Sequence, residues 1–351
     1  MHELTKGYTN GQRLLSVSGV KKSATGTGAD LVSEATGMLV NELERIDRMI
    51  TIGDYSPDNV IKDIENAIGK FITEAKKWEA GTDDISAIRE ERTNFHNNTN
   101  HIISKSYFLS RARTWPQGYQ GDHKTLETVY RDMPLSDGIG YFLDLIALNS
   151  TLAKGVRNRL KTMQSILKKE LEVRSGPEVL NIGCGSCREL FDLVPEIKGS
   201  NAKVICVDND QDALNFAHSR FYYTDAPDNI EFRKYNALRL FDIESAEAEF
   251  GPQDIIYSMG LFDYLDSDFL AKMFNTLFSL LKPGGKLIAA FKDAKRYNSQ
   301  TYHWLADWDG FKQRTEKDFL SILAGAGIDE DSIKYQRDET EAILFYEIEK
   351  K

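Results

Sequence analysis

"VLNIGCGSCREL", residues 179–190, admits two readings that cannot both hold. Cys184 and Cys187 stand at the C-x-x-C spacing of a metal-ligand pair or a redox dithiol, while Gly183 and Gly185 form the G-x-G of a nucleotide-binding turn. The flanks favour the second. "EVLNI" is a short apolar run suited to a buried strand, and in a doubly wound sheet the turn after the first strand is the usual ligand contact.

A dinucleotide fold would add a third glycine where this chain has Arg188, which counts against NAD or FAD. Asp208 closes the run "VICVD" and is placed to accept two hydrogen bonds from ribose hydroxyls. Its competing reading is an ordinary turn or N-cap aspartate within "DNDQD". Farther on, "KYNALRL" offers Asn236, whose amide suits either an adenine edge or a turn. "DIIYSMGLFDYL" ends a strand where an acceptor would lie against a bound nucleoside. "LLKPGGKLIAAF" supplies a Pro-Gly-Gly turn before the next strand, a structural feature rather than a chemical one.

Working outward, the runs "EVLNI", "AKVICVD", "IEFRKY", "DIIYSM" and "GKLIAAF" read as strands, with helices between them at 212–219 and 267–281. That alternation predicts a parallel α/β sheet with right-handed crossovers. A helix over 315–324 precedes "SIKYQ" and "EAILFYEIE", two strands with no helix between them, hence a terminal antiparallel hairpin. Upstream the period is helical: Leu31, Ala35, Leu39, Leu43, Ile46 and Ile50, then Val60, Ile64, Ile68 and Phe71 after Pro57, then Leu152, Val156, Leu160, Met163, Leu167 and Leu171. "RSGP", residues 174–177, marks the switch. The expected organisation is a flexible segment over 1–28, a helical domain over 29–174 and a sheet domain over 175–351.

Composition narrows the classes. Among 351 residues, 41% are hydrophobic and the net charge is −10, so the chain is globular and lacks the basic surplus of a nucleic-acid binder. No run approaches the ~18 apolar residues of a membrane span. Three cysteines are too few for a disulfide framework, which agrees with a reducing, cytoplasmic setting.

The ordered features of 176–351 resemble the class I S-adenosylmethionine-dependent methyltransferases, a Rossmann-like α/β sheet. The resemblance implies S-adenosylmethionine as cofactor and assigns the cysteines to the binding turn, without a metal; zinc would need further ligands that Cys206 alone does not supply. A closer likeness runs over roughly 104–351. "WPQGYQGDHKTLETVY" (115–130), "GVRNRL" (155–160), "IGCGSCREL" and "YHWLADWDGFKQRT" (302–315) are similar to the family that makes 3-hydroxypalmitic acid methyl ester, the extracellular-factor type of bacterial signal. Ser186 departs from it, since that family often has Pro there, and the first hundred residues have no counterpart.

The resemblance implies cofactor contacts at Gly183, Cys184, Gly185, Asp208, Asn209, Asn236, Ala237 and Ser258, with Tyr119 and Asp122 on a glycine-hinged lid. The plain alternative for Asp122 is an N-cap. Arg157 and Arg159 read either as site residues or as a solvated helix face. Tyr257, Asp263, His123 and His303 are candidate bases or orienters, and Arg314, near Trp308, is a candidate grip for an acceptor carboxylate; otherwise Arg314 merely precedes a helix capped by Thr315. The catalytic set expected is His303, Arg314 and Tyr257. Methyl transfer from a sulfonium asks the protein mainly for alignment and desolvation, and a carboxylate acceptor needs no base. The expected function is O-methylation of a small acyl or fatty-acid-like acceptor, with no nucleic-acid partner. The alternatives are a protein or other natural-product acceptor, or a non-catalytic adenosylmethionine-binding regulator.

Overall fold

The computed structural model describes residues 28–224 and 227–351. The flexible segment expected over 1–28 lies outside the described residues but for its last, Gly28, which opens the first helix. Fourteen α-helices and seven strands follow among the described residues. The helices are α1 Gly28–Ile52, α2 Pro57–Ala80, α3 Ile85–Ile103, α4 Tyr107–Thr114, α5 His123–Arg131, α6 Gly138–Leu148, α7 Thr151–Val173, α8 Arg188–Phe191, α9 Val194–Ser200, α10 Gln211–Phe221, α11 Ile243–Phe250, α12 Ser267–Leu280, α13 Ser299–Ala306 and α14 Glu316–Gly325. The strands are β1 Glu178–Ile182, β2 Lys203–Asp208, β3 Ile230–Lys234, β4 Gln253–Ser258, β5 Leu281–Lys292, β6 Ile333–Arg337 and β7 Ile343–Glu349.

Two compact units result. One takes the chain through Asp122, with 134–146 and 300–308; the other takes 123–133, 147–299 and 309–351. Compactness thus follows the packing of α5 and α7, whereas periodicity alone divides the chain at Arg174.

In the helical unit, the apolar stripes of α1 and α2 bury Leu39, Leu43, Ile46, Val60, Ile64 and Phe71. Phe71 stacks on Phe95 with ring centroids 4.3 Å apart, and both meet the fully buried Trp304 edge-on. The indole Nε1 donates to Glu79 at 2.9 Å, so the largest buried ring keeps its polar atom satisfied. Asp144 on α6 is a second anchor. Its carboxylate accepts from Ser106 Oγ, Phe108 N, Leu135 N, and both N and Oγ of Ser136, tying three chain segments together.

In the other unit the strand order is β3-β2-β1-β4-β5-β7-β6. All pairs are parallel except β5 with β7 and β7 with β6. Residues Met163, Ile166, Leu167 and Leu171 of α7 cover one face of the sheet together with Leu190, Leu214 and Phe221. Phe250, Leu270, Phe274, Leu277, Phe319 and Leu323 cover the other. The Pro-Gly-Gly segment is not a turn outside the fifth strand. Gln253 pairs with Leu281 and Ile255 with Lys286, so residues 282–285 bulge within β5, with Gly284 at φ +74°. The strand is already paired on both sides of the bulge, which is why the turn signal did not end it.

Candidate functional site

Strand order reverses direction at β1, whose neighbours are β2 and β4. A ligand in such a sheet binds beyond the carboxyl ends of these strands. Gly183 and Gly185, at φ +64° and +55°, turn the chain there. A methyl group on Gly183 would come within 3.1 Å of Leu261 Cβ, so glycine lets the segment after β4 pack onto the turn. Above Gly185, by contrast, nothing lies within 4 Å of where a side chain would start.

Asp208 is bound to the same turn. Its Oδ2 accepts from Gly185 N and its Oδ1 from Asp210 N, both at 2.9 Å. Asn209 N is a further backbone donor, which leaves roughly one of the carboxylate's four acceptor sites open, and burial pushes the carboxyl above its ordinary range. Asp208 is therefore not the helix cap; that task falls to Asp210, which accepts from Asp212 N. Ser258, at the end of β4, is fully buried with an Oγ that has no partner among the described residues. Open space over Gly185, a fixed carboxylate with acceptor capacity to spare and an orphaned hydroxyl fit a nucleoside with ribose hydroxyls. Asn209 is exposed, and Asn236 accepts from Leu238 N, with Ala237 beginning the short turn it caps. The turn-forming role of Asn236 is thus realised.

Beneath the turn lies a polar knot that sequence reasoning did not assign. Glu189 on α8 accepts from Asn181 Nδ2 and from Tyr257 Oη, both at 2.9 Å, and burial pushes its carboxyl up to about 7. Glu127 on α5 accepts from Ser186 Oγ at 2.7 Å and pairs with Arg220 at 2.6 Å and Arg188 at 3.4 Å. Glu127 stands 59 residues from Ser186 and Glu189 stands 68 from Tyr257, although the two acids lie inside the stretches "HKTLETVY" and "IGCGSCREL".

Several expected site residues have other work. Tyr257, expected as a base or orienter, is buried and donates to Glu189, and burial raises its hydroxyl well above its ordinary range. Arg314 donates to Phe262 O at 3.3 Å, to Leu265 O and to Ser267 Oγ at 3.2 Å. Its fork straps the loop after β4, so these donors are engaged within the chain rather than turned to an acceptor carboxylate. Asp263 is held by the buried Lys292 ammonium. His123 is buried, with Nδ1 3.7 Å from Asp210. Arg157 pairs with Asp132 at 3.0 Å and donates to Leu148 O, while Arg159 is only 3% exposed, so neither is a solvated face.

His303, Tyr119 and Asp122 lie in the helical unit. His303 Nδ1 is 3.1 Å from Arg92 Nη2, which also pairs with Glu79. Tyr119 is half-buried between Gly118 and Gly121, both at positive φ. Asp122 is buried in an ion pair with Arg111 at 2.8 Å.

Cys184, Cys187 and Cys206 are buried and unbridged; burial pushes Cys187 up, away from the reactive thiolate, while against its own burial the bonds from Cys184 and Cys187 hold Cys206 down to about 5. No cluster of metal-ligating side chains occurs among the described residues. Cys184→Ala combined with Cys187→Ser is therefore expected to fold and to bind adenosylhomocysteine as the wild type does. Stoichiometric zinc in the purified wild type, lost in the double variant, would contradict this.

Residues 179–285 match the family model described as a methyltransferase domain, and this segment contains the Gly183–Gly185 turn, Asp208 and Ser258. S-adenosylmethionine is the cofactor of this domain. No curated protein matches the chain. Among solved structures, a possible exported protein from Bordetella parapertussis is similar over 91% of this chain and 96% of its own, at 16% identity and a TM-score of 0.56, a likeness of fold. Magnesium protoporphyrin IX methyltransferase from Synechocystis PCC 6803, with bound SAH, is similar over 57% of this chain and 87% of its own, at 16% identity and a TM-score of 0.43. A SAM-dependent methyltransferase from Methanosarcina mazei covers 53% and 96%, at 18% identity and 0.40. No helix among the described residues is long and apolar enough to cross a membrane.

Proposed function

We propose that the chain is an S-adenosylmethionine-dependent O-methyltransferase whose acceptor is a small molecule bearing an acyl carboxyl group. The observation that carries the cofactor half is the Gly185–Asp208 link, which aims a fixed carboxylate at the open space over the turn. When bound, the cofactor supplies an electrophilic methyl group on a sulfonium. The chain's residues then have three tasks: Asp208 receives ribose hydroxyls, Ser258 offers its hydroxyl, and the turn excludes water from the strand ends.

The acceptor half is supported by the state of the candidate bases. Tyr257 commits its proton to Glu189, and Asp263 is committed to Lys292. A carboxylate nucleophile is already anionic and requires no proton removal. The likeness of "GYQGD" and "VRNR" to the methyl-ester-forming family points the same way. Three free thiols agree with residence in a reducing cytoplasm.

Two measurements test these halves. Asp208→Ala should weaken adenosylhomocysteine binding by roughly 1–3 kcal/mol, since it leaves hydroxyls and Gly185 N unpaired. Equal affinity by calorimetry would remove Asp208 from the site. Methyl label transferred to a carboxyl group should become volatile as methanol in mild alkali; base-stable label would exclude the ester and leave methyl transfer intact, and base-labile label on protein would move the acceptor to a side-chain carboxyl.

A further inference from the structure

Arg159 is a buried cation without a carboxylate. It projects from α7 with 3% of its surface exposed, and its Nε has no partner among the described residues. Buried arginines are almost always ion-paired, because an uncompensated charge in a dry interior is costly. The nearby acids are already engaged. Glu127 serves Arg220, Arg188 and Ser186; Glu189 serves Asn181 and Tyr257; Asp263 serves Lys292. Burial disfavours the Lys292 ammonium and Asp263 favours it, while the nearby Arg159 charge adds to the cost of burial. Tyr130 is its hydrogen-bonding neighbour, a hydroxyl rather than an anion.

Its position is set by a glycine. A methyl group on Gly260 would meet Arg159 Nη1 at 3.3 Å and Nη2 at 3.5 Å, so glycine there lets the guanidinium lie against the backbone just beyond β4. The next residue, Leu261, is the one that rests on Gly183. Guanidinium, strand end and G-x-G turn are thus contiguous on one side of the switch point.

Resting on the methyltransferase reading, we propose that Arg159 is the carboxylate-binding residue of the site, its planar fork completed by a carboxylate that arrives with a ligand. Two sources present that chemistry: the α-carboxylate of the cofactor's amino-acid portion, and the carboxyl group of the acceptor. Arg314, strapped to the loop after β4, leaves the role to Arg159. A fork of donors grips a carboxylate bidentately, which an ammonium cannot reproduce.

Calorimetry on the full chain separates the sources. The first arm compares adenosylhomocysteine with S-adenosyl-3-thiopropylamine, which lacks the carboxylate. The second compares dodecanoate with dodecanol, each added to protein saturated with adenosylhomocysteine. If the cofactor supplies the anion, wild type prefers adenosylhomocysteine by roughly 10- to 100-fold, Arg159→Gln abolishes that preference, and Arg159→Lys recovers part of it. If the acceptor supplies it, Arg159→Gln leaves the first arm unchanged and abolishes the preference for dodecanoate. A wild type with no carboxylate preference in either arm overturns the proposal without recourse to a variant, as does a folded Arg159→Gln that keeps both preferences. Wild type that binds neither nucleoside brings down the methyltransferase reading itself, and this assignment with it.

Discussion

The stability of the wild type relative to Glu189→Gln is expected to fall by about 3 kcal/mol as pH rises from 4.5 to 8. Glu189 is fully buried, and burial raises its carboxyl from 4.5 to about 7 in the folded protein. Between those values the folded state holds a proton that the unfolded state has released, so stability is fully present below about 4.5 and is lost as pH passes through about 7. Glutamine keeps an oxygen to accept from Asn181 and Tyr257 but cannot ionise, so its own burial cost is constant with pH. Subtracting the two urea-unfolding curves at each pH cancels every other titrating group. A flat difference would mean that Glu189 is solvated or paired in solution and that the knot beneath the turn is looser than described.

Gly140→Ala should cost about 3 kcal/mol or more and leave little folded helical unit at 37 °C. The added methyl would sit 2.2 Å from the carbonyl oxygen of Lys105 and 2.7 Å from its carbon. Neither atom can turn away as a side chain could, so α6 would have to move bodily. Asp144, one turn farther along α6, would then lose its alignment with Ser106, Phe108, Leu135 and Ser136. Chemical denaturation followed by circular dichroism reads the change. A loss below about 1 kcal/mol would show that the approach of α6 to Lys105 is not as close as this.

Both effects arise where sequence patterns say nothing. The sheet was legible because its strands are short apolar runs divided by turn residues, and every expected strand from "EVLNI" to "EAILFYEIE" has its counterpart in β1 to β7. Gly183, Gly185 and Asp208 were legible because one backbone turn dictates their types and spacing. Arg314 was left between two readings for a physical reason. A guanidinium near a strand end serves a ligand or, as here, two backbone carbonyls and a hydroxyl equally well, and sequence alone does not tell which donors are spent. Arg159 stayed ambiguous because helical periodicity gives a face and not its covering. Glu127 and Glu189 went unassigned although both lie in quoted stretches, since their partners Ser186, Arg220 and Tyr257 lie dozens of residues away.

Helix α7 carries a lesson for anyone recombining parts of this chain. By periodicity it ends the helical half, yet its Met163, Ile166, Leu167 and Leu171 form the lid of one sheet face. A fragment cut at Ser175 would expose Val179, Leu190, Phe221, Ile288 and Phe345 to water and should precipitate on expression. Moving the cut to residue 147 keeps α7 but still strands α5, which carries Glu127, and the excursion at 300–308 interrupts the remainder. No single crossover separates the units, so the polypeptide has to be inherited, grafted or circularised as a whole.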